Sequence, residues 1–406
     1  VLALLCALAI VLYVDRVCIS LALPRIGSDL GIPPESLGWI GFAYWFSYAV
    51  FEIPGGRMGD RIGPRRVLTR IVLWWSAFTA LTGAAAGFGT LFVTRLLFGA
   101  GEAGCIPNAS TVVSRWFPGR ARASAMGVVQ GAAQVGGALS PLLVVPIQQR
   151  FGWRASFVVF AVAGVAWAAV WYAWFRDVPS REDGVTEIEL AEIAGNPAPP
   201  PRGLSWSVAW RSTSLRGLVL TWLAMGYSNS FIGFWMPSYL TKTRGFAEAD
   251  LRWTASAWIA MLAGSALGGF VSDAVAARVG RAWGRRAVGF AGLGGCALGF
   301  AAITITHAKV AVVVVVALAG MSGGMFAANL LATCIDVGGR YAGTITGVVN
   351  TGGQLAAALS TVAFGYLLKA TGSYEVPILV TAGVLATGLV PWFFIDASRG
   401  IEPDVP

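Results

Sequence analysis

Charge is scarce in this chain. Of its 406 residues only 12% are Asp, Glu, Lys or Arg, where soluble domains carry roughly 25%, and that shortfall excludes a water-soluble globular fold. Histidine occurs once, as His307, and the five cysteines (Cys6, Cys18, Cys105, Cys296 and Cys334) show no paired spacing. Neither a metal site nor a disulfide framework has support. No Gly-x-x-x-x-Gly-Lys-Ser/Thr sequence is present, so nothing marks an ATP-driven machine. One histidine near a loop also leaves no nucleophile and base from which to build an enzyme. What abounds is apolar: 56% of residues are hydrophobic and the mean hydropathy is +0.69. An all-α polytopic membrane protein is expected, because a helix satisfies its own backbone in hydrocarbon.

Apolar runs separated by Gly, Pro and Arg predict twelve spans: 1–27, 36–57, 66–88, 90–113, 121–147, 153–176, 213–240, 252–279, 287–306, 310–337, 341–369 and 375–396. Each is long enough to cross ~30 Å of hydrocarbon as a helix. The first span opens without a basic leader and runs through Asp15 and Arg16, so it reads as a retained span and not as a cleaved signal. Residues 177–212 are acidic and then Pro-rich (Asn196-Pro197-Ala198-Pro199-Pro200-Pro201), a composition that reads as a linker. It separates an N-terminal six-helix bundle, 1–176, from a C-terminal one, 213–406.

The net charge of +9 invites a nucleic-acid reading, but topology explains it better. About 19 of the 29 Lys and Arg fall in alternate loops and the last residues, about 8 in the opposite loops and two inside spans, which is the positive-inside asymmetry. Both termini and the central loop are therefore expected in the cytoplasm, with the lipid bilayer as the partner and no nucleic acid.

The two intramembrane bases carry the functional signal. Asp15 and Arg16 stand mid-span between the uncharged stretches Val1–Val14 and Val17–Leu23. A charge at that depth costs roughly 2.5–3.5 kcal/mol on insertion scales and by default marks an ion or substrate path. Span four repeats the pattern: Glu102 follows Arg95 by seven residues, two turns along one helical face. A guanidinium matches a carboxylate with a planar fork of donors, so Arg16 is the candidate ligand for an anion, although it could instead neutralise Asp15 or Glu102. The carboxyls of Asp15 and Glu102, set among movable arginines, are candidate proton sites, and Arg95 reads as their structural or switching partner. Tyr44, Tyr48, Gln130, Gln134, Asn229, Asn329 and Asn350 fall at cavity depth, where they would meet substrate hydroxyls or bond between helices.

The loop after span two, Gly56-Arg57-Met58-Gly59-Asp60-Arg61-Ile62-Gly63-Pro64-Arg65-Arg66, partly returns after span eight as Gly269-Phe270-Val271-Ser272-Asp273 and Gly284-Arg285-Arg286. With Gly56, Asp60, Arg61, Gly63, Arg65 and Arg66 in place it resembles the signature of the major facilitator superfamily, which implies twelve transmembrane helices in two pseudo-symmetric six-helix bundles and alternating access. Asp60, and Asp273 in the second copy, would then act as latches.

Further stretches point to one branch. They are Tyr13-Val14-Asp15-Arg16, Leu21-Ala22-Leu23-Pro24-Arg25-Ile26, Glu52-Ile53-Pro54-Gly55-Gly56, Arg95 with Gly101-Glu102-Ala103-Gly104 and Pro107, Arg115-Trp116-Phe117-Pro118, and Asp336-Val337-Gly338-Gly339-Arg340. Together they look like the anion:cation symporter family. That resemblance implies a monomeric carrier in the cell membrane that imports a sugar acid or other carboxylate with protons, the coupling ion being its only cofactor. It also implies that Arg16 binds the substrate carboxylate and that Tyr48, Gln134 and Asn350 meet its hydroxyls, with Tyr44 and Asn329 as further candidates. Glu52 departs from bacterial relatives, which often carry glutamine. A drug exporter of the same fold is the alternative, though Gly131-Ala132 on span five lacks the exporters' Gly-Pro; a sensor without transport is another.

Overall fold

The computed structural model describes residues 1–182, 184–194 and 209–401. The Pro-rich part of the linker and the side chains of Asp60 and Arg340 lie outside what it describes. The first six apolar runs form α1 (Leu2–Asp29), α2 (Pro34–Ile62), α3 (Pro64–Gly83), the pair α4 (Phe88–Glu102) and α5 (Cys105–Trp116), α6 (Gly119–Phe151) and α7 (Trp153–Trp174). A short α8 (Glu187–Ala194) lies in the central segment, where the composition suggested only a linker. The remaining runs form α9 (Thr213–Ser230), α10 (Met236–Lys242), α11 (Ala255–Val279), α12 (Arg281–Ile305), α13 (Lys309–Gly338), α14 (Ala342–Thr371), α15 (Glu375–Thr387) and α16 (Leu389–Phe393).

All twelve runs are helical, and the departures have local causes. A π-helical turn, Phe231–Trp235, joins α9 to α10. Pro237 has no N–H for the carbonyl four residues back, and its ring crowds that carbonyl, so the helix widens just ahead of it. Pro391 acts likewise on Thr387, where α15 stops. Among the described residues seven helical stretches are long and apolar enough to cross a bilayer by themselves.

The chain divides into two compact units: Val1–Ile32 with Ala43–Pro199, and Pro33–Phe42 with Pro200–Pro406. The opening of α2 thus belongs to the second unit, where Glu35 pairs with Lys369 at 2.8 Å. In the first unit α1 packs chiefly on α6 and α3 on α7. A ladder of rings, Trp167 and Trp171 of α7 and Phe175 at its C-terminal cap, stacks with centroids 5.2 and 3.9 Å apart, and the indoles of Trp167 and Trp171 donate to the carbonyls of Leu4 and Arg65. Buried tryptophan here adds area and satisfies its N–H at the same time. Apolar side chains also cover the outside: Phe270 and Leu298 are each more than 70% exposed, as a surface meant for lipid requires.

In the second unit a polar network joins three helices. Arg285 donates to Asp336 at 2.9 Å, to Asp273 at 2.8 Å and to the Ser272 hydroxyl at 2.6 Å. Ser272 in turn donates to Asn329 Oδ1, and Asn329 Nδ2 donates to the Arg285 carbonyl. Asp336 is 16% exposed and Asp273 73%, and solvent screens an exposed partner. Asp336→Asn is therefore expected to lower the unfolding temperature in detergent by several degrees, and Asp273→Asn to lower it much less; equal shifts would show that burial does not set the strength of these pairs.

Candidate functional site

Neighbouring residues on a helix point about 100° apart, and α1 uses this to send Asp15 and Arg16 to different surroundings. Arg16 reaches across the first unit, and its Nε donates to Glu102 Oε1 at 2.5 Å. The Tyr44 hydroxyl donates to the same oxygen at 3.1 Å. Three phenol rings surround the guanidinium, those of Tyr48, Tyr13 and Tyr44, with centroids 4.8, 5.2 and 5.8 Å from its central carbon. Ring faces attract a cation and spare it a fully apolar wall. Glu102 is 1% exposed and the Arg16 side chain 12%, so the acid is the inner partner. Arg16 Nη2 and Glu102 Oε2 make no hydrogen bond.

Glu102 is placed by a break in α4, which the apolar run 90–113 did not suggest. Ala103 is extended, and Gly104 takes a left-handed φ of 86° that only glycine adopts without strain. A side chain there would also strike the backbone of Gly55, whose Cα would lie 2.7 Å away. Asn108, fully buried, ties the break to α2: its Nδ2 donates to Gly104 O at 2.7 Å, a carbonyl that also accepts the Asn108 N–H at 3.0 Å, and to Gly55 O at 3.0 Å. Higher on α4, Gly99 lies against Tyr44 O and Ser47 Oγ with no room for a methyl group, and that approach brings the Tyr44 phenol within reach of Glu102.

Asp15 faces the interior of the first unit. It is 1% exposed, neither of its oxygens makes a hydrogen bond, and Arg95, Glu102 and Trp75 are among its electrostatic neighbours. Arg95 and Glu102 share one side of α4 but diverge at their tips. Arg95 donates to the Thr82 hydroxyl at 2.7 Å and lies 4.0 Å from the Phe98 ring, while Glu102 turns to α1 and α2. No direct ion pair joins them.

The other expected residues divide similarly. Tyr44 and Tyr48 are buried beside Arg16, and Gln134 is buried in α6. Asn350 lies half-buried on α14 of the second unit. Asn329 is fully buried, its amide oxygen accepting from Ser272 and its nitrogen donating to the Arg285 carbonyl, and in this arrangement it fastens helices of the second unit. In the signature loop Gly63 turns the chain at φ 97°, Gly56 abuts Pro107, and Arg65 donates to Tyr172 O while its N–H reaches Asp177 at 2.8 Å. Arg61 and Arg66 are exposed; the Asp60 side chain lies outside the described residues. Asp273 accepts from Arg285, as above. Sequence reasoning missed Tyr13, Thr82, Trp75 and Asn108 as site residues. The glycines flanking Glu102-Ala103, followed by Pro107, were the available sign of a break.

The model of the Major Facilitator Superfamily matches residues 5–361. The chain is 34% identical to the "Probable sulfoacetate transporter SauU" of Cupriavidus necator, over 100% of this chain and 95% of that one. It is 29% identical to the hexuronate transporter of Bacillus subtilis, covering 96% and 92%, and 28% identical to that organism's "Probable galactarate/D-glucarate transporter GudP", covering 89% and 84%. In fold it resembles a bacterial homologue of the human lysosomal transporter Spinster in its inward-facing, unoccupied form, with a TM-score of 0.76 at 18% identity over 98% and 96% of the two chains.

The break itself is open to test. Asn108→Ala would remove the amide that ties the Gly104 and Gly55 carbonyls together while leaving the backbone N–H of residue 108 on Gly104 O, a loss of about 0.5–1.5 kcal/mol for each hydrogen bond; the unfolding temperature in detergent is expected to fall, and an unchanged value would show that the side-chain amide adds nothing to the backbone bonds.

Proposed function

The chain belongs to the Major Facilitator Superfamily and is a multi-pass membrane carrier of anions, not an enzyme; from that premise we propose that it imports an organic anion by proton symport through alternating access. The observation that carries this reading is the buried pair of Arg16 and Glu102, with a guanidinium Nη2 and a carboxylate Oε2 that make no hydrogen bond. As a pair the two side chains are neutral, and a second anion gains little by approaching. Once Glu102 takes a proton, its attraction for Arg16 collapses and a lone cation remains among phenol rings. A carboxylate can then take the fork of donors that Glu102 held. The anion's site is thus created by the proton, and neither is favoured to occupy the site without the other.

Release reverses the order. Loss of the Glu102 proton restores the internal pair, which displaces the substrate from Arg16. Asp15 is the second proton site, and Arg95, held by Thr82, is the base that responds to its charge. Two protons carried with a monovalent anion would move net positive charge inward, favoured by about 2.3 kcal/mol per charge per 100 mV. Both chain ends are placed in the cytoplasm by the basic loops, and the chain works as a monomer in the cell membrane.

The substrate class follows from the chemistry around Arg16. One fixed cation takes one carboxylate or sulfonate, and Tyr44, Tyr48 and Gln134 of the same unit offer hydroxyls and an amide to the rest of a small polar acid. Hexuronate, galactarate and sulfoacetate, named for the relatives, all fit this description.

Two measurements test the scheme in proteoliposomes with an inward proton gradient. Glu102→Gln is expected to abolish accumulation of the anion while counterflow exchange persists, because a permanently neutral side chain leaves Arg16 available on both sides; accumulation at the wild-type level would remove the scheme. Arg16→Lys keeps the charge but loses the planar fork, so uptake is expected to fall by at least about tenfold, chiefly through KM; an unchanged KM would place the carboxylate elsewhere.

A further inference from the structure

α3 has two faces of unlike character. One is buried and built from Val67, Leu68, Ile71, Val72 and Trp75. The other points outward and changes along its length: Leu73, Trp74 and Leu81 are each more than 40% exposed, and one turn towards the signature loop the same face presents Arg66 and Arg70, both exposed. Arg66, Thr69, Arg70, Leu73, Trp74 and Tyr172 line an open cleft of about 440 Å³.

The walls of this cleft are held independently of any occupant. The Trp74 indole donates to Leu97 O at 2.8 Å, and its ring lies flush against Gly101, where a methyl group could not be accommodated. Tyr172 is fixed by Arg65, whose guanidinium stacks 4.5 Å over the ring and donates to the Tyr172 carbonyl at 3.0 Å. The two cations on the floor are not satisfied in the same way. Arg70 donates to the thioether of Met58 at 3.2 Å, a weak acceptor, and among the described residues no carboxylate lies within ion-pair distance of Arg66 or Arg70. Their spacing of four places both guanidinium groups on one side of the helix, one turn apart.

We propose that this cleft binds the headgroup of an anionic phospholipid in the leaflet on the side of the basic loops, with Arg66 and Arg70 on the phosphate and the acyl chains along Leu73, Trp74 and Leu81. Charge complementarity selects an anion. Continuity of the cleft with an exposed apolar face selects one that carries hydrocarbon, since a soluble anion has no use for that face. An aromatic pair at the junction of the two zones suits the depth of the interface, where amphipathic rings gather. Through Trp74, whose ring covers Gly101, the bound lipid would bear on the part of α4 that ends in Glu102.

Native mass spectrometry of the detergent-purified protein, offered phosphatidylglycerol or phosphatidylcholine of matched chains, reads the proposal directly. Two cations near a surface favour the anionic lipid by at least about tenfold, and R66Q/R70Q is expected to abolish that preference. Equal retention of the two lipids by the wild type overturns the proposal, and so does an undiminished preference in the double variant. Inorganic phosphate and glycerol 3-phosphate form a further arm: displacement of phosphatidylglycerol by either at equal concentration would make the occupant a soluble anion and overturn the assignment to lipid. Should the double variant fail to fold, Trp74→Ser supplies the second reading, with lipid retention expected to fall while the unfolding temperature in phosphatidylcholine stays close to wild type.

Discussion

A carboxylate and a guanidinium held together away from water depend on each other. Each costs several kcal/mol to desolvate alone, and their attraction makes good that cost only while both remain charged and close. The pair of Arg16 and Glu102 is this kind of contact, and the rest of the first unit can be understood as what holds its ends in place. Because so much opposing energy is concentrated at one point, a single proton or a single incoming anion changes the balance. That sensitivity is what the proposed proton symport would draw on.

Holding Glu102 there demands an irregular backbone at membrane depth, which is tolerated only where the protein itself satisfies it. The break after Glu102 meets the condition through glycine at 104 and the amide of Asn108. An uninterrupted helix would carry the chain past this point with no change of direction, whereas the break ends α4 at the residue that meets Arg16. Two turns earlier on the same side of that helix, Arg95 is steadied by Thr82, and because the two tips diverge α4 delivers an acid to one region and a base to another.

Asn329 shows how polarity alone stays ambiguous inside a membrane. An asparagine in an apolar run has either a ligand or another helix to bond, and the two look the same in sequence. In the folded chain it closes a network with Ser272 and Arg285, far enough along α13 to share it with Asp336. Tyr44 and Tyr48, equally ambiguous as letters, fall the other way and border Arg16. The difference arises from which neighbouring helix each faces, and that is set by packing between segments distant in the chain.

What the sequence determined by itself was the number and rough limits of the spans, the basic loops, and the identity of the four intramembrane charges Asp15, Arg16, Arg95 and Glu102. These are legible because the cost of charge and of open backbone in hydrocarbon acts on each segment separately. Only the tertiary structure decided that Arg16 belongs to Glu102 and not to its neighbour Asp15, that α4 breaks between them and α5, and that Tyr13, Thr82 and Asn108 take part. Pairing across 86 residues depends on how helices lie against one another, and helix contacts are made by small residues and shape, whose signal is spread over many positions and concentrated in none.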